Sequence, residues 1–102
     1  MNETKKPFLL KLFAPRPTFH LDITPEELAV MQVHAQYWRG LLERGVAVAF
    51  GPVLEPKESW GVALLYAEDQ AAADAIAAED PASKAGMHIE VYPMATLVHR
   101  GV

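Results

Sequence analysis

At 102 residues, 51% of them apolar and 22% charged, the chain has the composition of one small globular domain. Its net charge is −4 and its only adjacent pair of strong bases is Lys5-Lys6, which argues against nucleic acid or an anionic membrane surface as partner. There is no cysteine, so disulfides, a thiolate nucleophile and a cysteine-based zinc site are excluded, and a cytoplasmic location is expected.

The N-terminal "MNETKKPFLLKLFAP" has an apolar run too short for a secretory leader, and it reads as a first strand, Phe8 to Ala14, bounded by prolines. "PRPTFHLDI" follows as a long polar connection of the kind that often carries function. "TPEE" then starts a helix: Thr24 as N-cap, Pro25 in the first turn and Glu27 closing a capping box. Gly45 ends that helix as a C′ glycine should. "VAVAF", Val46 to Phe50, is expected to be a second strand stopped by Gly51-Pro52, and "GVAVAFGPVL" is too short to span a membrane. "WGVALLYA", Trp60 to Ala67, is a third strand, with Trp60, Val62, Leu64 and Tyr66 on one face. "EDQAAADAIAAED" is a second, Ala-rich helix ended by Asp80-Pro81, because a residue before proline avoids the α region. "MHIEVYPM" alternates apolar Met87, Ile89 and Val91 with His88, Glu90 and Tyr92, as a final strand would.

The order β-α-β-β-α-β predicts an α+β fold of ferredoxin-like type: a four-stranded antiparallel sheet with two helices on one face. The whole chain, 1–102, is expected to be a single domain with its core at about 8–97. Both rows of the third strand are apolar, so the sheet face without helices would not sit well in water. A homodimer with its sheets packed face to face is therefore expected.

His34 lies inside the first long helix. At about 100° per residue, Leu28, Met31, Ala35, Trp38 and Leu42 form the centre of the apolar arc. Val30, His34, Tyr37 and Leu41 form its flank, with His34 roughly 60° from the centre. Two readings stay open. His34 is a core histidine bonded to a backbone carbonyl, or a base whose ring is held by a carboxylate. Asp80 is the candidate carboxylate, since the end of a helix disfavours negative charge. It can equally be the N-cap of a turn beginning at Pro81.

"HAQYWRGLLERGVAVAFGP" resembles the helix-to-strand segment of the YciI (YCII-related) family: a helix histidine, a glycine eleven residues on, then a strand ending in Gly-Pro. "AEDPASKAGMHIEVYPM" resembles the second signature of that family, an Asp-Pro after the Ala-rich helix and then a strand running into proline. The resemblance covers about Phe8 to Leu97. It implies a dimeric α/β barrel in which His34 and Asp80 approach as an active-site pair. Its superfamily includes muconolactone isomerase, dehydrochlorinases of chlorinated aromatic breakdown, and small cofactor-independent or haem-degrading monooxygenases. The resemblance thus implies a reaction class and no particular substrate.

Three functions compete. The first is a cofactor-free lyase or isomerase in which His34 abstracts a proton next to a carbonyl or from a phenol while Asp80 orients the imidazole. In it Arg16 would bind a substrate carboxylate, His20 with Asp22 would supply a second polar pair, and Tyr37 and Trp38 would shape an aromatic-sized pocket. The second is a monooxygenase-like or haem-handling protein with His34 as ligand or base, although no haem-attachment motif is present. The third is a non-enzymatic dimeric module that binds a small ligand. The four histidines, His20, His34, His88 and His99, have no metal-binding spacing, so no metal site is expected. Ser59 and Ser83 lack nucleophile-elbow surroundings, and no Gly-rich phosphate loop is present. His88 is expected to face solvent, and His99 lies in the tail.

Overall fold

A computed structural model describes residues 5–101. Its elements run β1 (Lys6–Phe13), α1 (Phe19–Asp22), α2 (Pro25–Glu43), β2 (Ala47–Leu54), β3 (Ser59–Ala67), α3 (Gln70–Ala78), α4 (Pro81–Lys84) and β4 (Ile89–Pro93). The strands form one antiparallel sheet in the order β2-β3-β1-β4. With the two long helices on one side, this is the ferredoxin-like arrangement that the element order predicts.

Period-two alternation separates the faces of the sheet. Phe8, Leu10 and Leu12 of β1 and Ala63, Leu65 and Ala67 of β3 are buried toward the helices. Trp38 and Leu41 of α2 and Ala73 and Ala77 of α3 close over them. The alanines let α3 pack close to the sheet. The other face carries Leu9 and Phe13 of β1 and Trp60, Val62, Leu64 and Tyr66 of β3, all only partly covered. Lys11 lies there too, its ammonium 4.7 Å from the ring centres of both Phe13 and Trp60.

Local signals account for the helix ends. The Thr24 side chain accepts from the Glu27 amide at 3.1 Å, and the Glu27 carboxylate accepts from the Thr24 amide at 2.9 Å. Gly45 has φ +78°, the left-handed conformation that ends α2. Asp69 caps α3, and Asp80 caps α4 through the Ala82 amide.

Three expectations need correction. The connection after β1 contains α1, a single turn around Phe19 that hydrophobic periodicity is too short to announce. Strand β2 runs through Gly51-Pro52 to Leu54 instead of stopping at Phe50. It is an edge strand, where a residue lacking an N–H leaves no neighbour unpaired. The buried arc of α2 is also rotated from the drawn wheel: Leu28 and Leu42 are 47% and 38% exposed, while the His34–Trp38–Leu41 line turns inward. Among the described residues no helix is long and apolar enough to cross a membrane.

Candidate active site

His34 comes from the middle of α2 and Asp80 from the junction of α3 and α4. Helix α3 stops after Ala78 because Pro81 cannot continue it, and the extended backbone at Asp80 (φ −62°, ψ 129°) turns its side chain to cap α4. This cap faces α2. The His34 Nδ1 lies 2.9 Å from both carboxylate oxygens of Asp80. Asp80 is fully buried, and the His34 side chain is 15% exposed.

Two further donors reach the carboxylate. The Ala82 amide donates to Oδ1 at 2.8 Å, and the Trp38 indole Nε1–H donates to Oδ2 at 2.7 Å. Both use the carboxylate as an acceptor, and a proton on Nδ1 of His34 would make the ring its third donor. In the neutral ring the lone pair then sits on Nε2. Trp38 and His34 are one helical turn apart on α2, so a single helix face supplies two of the three donors.

His34 also lines a cleft of about 360 Å³ between α2, the α1 connection and the β2–β3 end of the sheet. Leu10, Leu12, Phe19, Met31 and Phe50 make most of its wall. The polar side chains on the wall are His20, His34 and Ser59. No buried side-chain polar atom among the described residues lacks a partner. Nε2 of His34 makes no bond within the described protein, so it is reached from the cleft. The histidine joins a buried aspartate side chain on one side to an apolar chamber on the other.

The remaining expected site residues fall in different places. Arg16 does not face the cleft: its guanidinium binds both Glu27 oxygens at 2.7 and 2.8 Å and Asp22 at 2.8 Å, and it covers the Phe19 ring. The Arg16 guanidinium holds the Glu27 carboxyl down at about 2, with help from the Thr24 amide. The Thr18 hydroxyl, and then Arg16, lower Asp22. Asp22 is thereby committed to this ion pair and is no partner for His20, which is exposed at the cleft rim.

Tyr37 donates to the Ile76 carbonyl at 2.6 Å and ties α2 to α3. Burial, then the charges of Asp80 and Glu79, push its phenol above the ordinary range. Trp38 is 1% exposed beneath His34. Neither lines the cleft, and Phe19 and Phe50 are its aromatic walls instead. The sequence weighs Ser59 only as a nucleophile; its signal as a cleft residue is its place as a polar residue on the otherwise apolar Gly61–Ala63–Leu65 row. His88 is exposed and pairs with Glu90 at 2.9 Å, while His99 lies beside Tyr66. No cluster of three or more potential metal ligands occurs among the described residues.

The profile of the YCII-related domain matches residues 9–95. No curated protein matches the chain. Among solved structures, the crystal structure of a protein of unknown function from Nitrosomonas europaea is similar at 17% identity, covering 99% of this chain and 100% of that one with a TM-score of 0.43.

Proposed function

Because this chain belongs to the YCII-related family, we propose that it is a small enzyme of lyase or isomerase type in which His34 is the general base and Asp80 the residue that positions it. One observation carries the reading: Nδ1 is tied to a buried carboxylate while Nε2 opens onto an apolar cleft. Proton transfer by such a positioned base contributes about 10²–10⁴-fold.

In the reaction, Nε2 takes a proton from a carbon next to a carbonyl, or from a phenol, and leaves an enolate or phenolate. The imidazolium is then stabilised by Asp80, whose carboxylate is held in place by the Trp38 indole and the Ala82 amide. Returning the proton to another carbon completes an isomerisation. Loss of a leaving group from the adjacent carbon completes an elimination. Among the described residues of the cleft wall, the other side chain suited to be the base is His20, whose exposed ring has no carboxylate partner there to orient it. Arg16 is left out of the mechanism because its donors are already used by Glu27 and Asp22.

The same proposal includes pairing of two copies through the apolar sheet face, where Leu9, Phe13, Val62, Leu64 and Tyr66 are only partly covered. The test of the base is ¹⁵N NMR of the His34 ring at mildly alkaline pH, beside hydrogen–deuterium exchange in a panel of cyclic ketones, lactones and phenols. The expected result is a proton on Nδ1 and exchange that falls about 10²-fold or more in His34→Ala and in Asp80→Asn. A ring protonated on Nε2 would sink the assignment.

A further inference from the structure

The wall of the cleft says what kind of molecule fits it. A cavity of about 150 Å³ lined by Leu, Ile and Phe holds a single benzene ring. At about 360 Å³ this one accommodates roughly two rings. Among the described residues no lysine, arginine, aspartate or glutamate stands on the wall. The nearest cation of the α1 connection, Arg16, is bound to Glu27 and Asp22. A carboxylate or phosphate group placed inside would lose its hydration and find no charge to replace it.

Ser59 is the polar group left over. It is 8% exposed, pairs through its backbone with Leu54 at the end of the β2–β3 hairpin, and lines the cleft from the sheet side. Its hydroxyl takes part in none of the side-chain hydrogen bonds of the described residues. It is also not a buried orphan, so it is reached from the cleft. His34 stands on the helix wall and Ser59 on the sheet wall.

We infer that the cleft takes an uncharged, mostly apolar compound of about two rings, with the Ser59 hydroxyl as its hydrogen-bonding partner on the sheet side and its acidic proton presented to His34. The inference rests on reading His34 as the base, and it names the substrate class of that same site. Ser59 is a binding residue in this scheme and takes no proton.

The experiment titrates ¹⁵N-histidine-labelled protein with three probes of one size: 2-naphthol, 2-naphthoate and 2-methylnaphthalene. Binding is followed by Trp fluorescence and the His34 ring signals. The wild type is expected to bind 2-naphthol about tenfold or more tightly than 2-naphthoate. Ser59→Ala is expected to weaken 2-naphthol about three- to tenfold and to leave 2-methylnaphthalene unchanged. A merely structural serine would shift both probes alike, and that result overturns its role. Equal or tighter binding of 2-naphthoate, or no binding of any probe up to its solubility, overturns the substrate class. The His34 signals separate the two failures. A proton on Nε2 removes the base itself, whereas a proton on Nδ1 with the carboxylate preferred removes only the uncharged ligand.

Discussion

Asp80 shows why one side chain can satisfy two opposed readings of a sequence. Asp-Pro suggests a helix cap, and an acidic residue after an Ala-rich helix suggests a partner elsewhere. The carboxylate does both, because Oδ1 and Oδ2 together take the Ala82 amide, the Trp38 indole and the His34 ring. The first contact is local and was legible. The Trp38 contact spans 42 residues and was not, so Trp38 read as a pocket wall. Trp38→Phe keeps a large ring but removes the donor from a fully buried carboxylate. The expected loss is about 1–3 kcal/mol in urea denaturation, with a smaller change in the denaturant slope than a global rearrangement would give. A stability equal to wild type would mean that the indole proton is dispensable to Asp80.

At the scale of elements, the start of α2 is the part most fully written in the sequence, since a capping box needs only four consecutive residues. Its fastening to the preceding connection was hidden, because Arg16 reaches Glu27 across eleven positions that include α1. The pH dependence of that clasp follows from Glu27. Its folded value of about 2 is depressed from an ordinary 4.5, so its contribution is present above 4.5 and is lost as pH falls toward 2. Chemical denaturation of Glu27→Gln against wild type should show a difference at pH 6 that shrinks through this window. A difference independent of pH would point to the cap geometry alone. The other end of α2 isolates backbone conformation: Gly45 has φ +78° and open space where a Cβ would stand. Gly45→Ala should therefore cost about 1 kcal/mol by thermal unfolding, without a packing penalty. The passage of β2 through Pro52 escaped sequence reading for a different reason. A proline is tolerated only where no neighbour needs its N–H, and edge position is a property of the assembled sheet.

For the whole molecule, alternation along β3 showed two apolar rows but could not say which one the helices cover. The structure places Ala63, Leu65 and Ala67 beneath them and leaves Trp60, Val62, Leu64 and Tyr66 on the open side. If two copies pair there, Val62→Glu should convert a dimer to a monomer in sedimentation measurements, while the circular dichroism of the fold persists. A monomeric wild type would remove the pairing from the proposal. The strand order has a further consequence, for the making of the protein. β1 hydrogen-bonds to β3 and β4, from Lys6 opposite Ala67 to Phe8 opposite Pro93, and to no strand near it in the chain. Strand β1 therefore leaves a ribosome well before either of its neighbours, β3 and β4. Of the strand pairs among the described residues, only the β2–β3 hairpin joins strands consecutive in the chain. A sheet that cannot close before β4 emerges leaves the "FLLKLF" of β1 without its partners for that interval, an aggregation hazard that begins during translation.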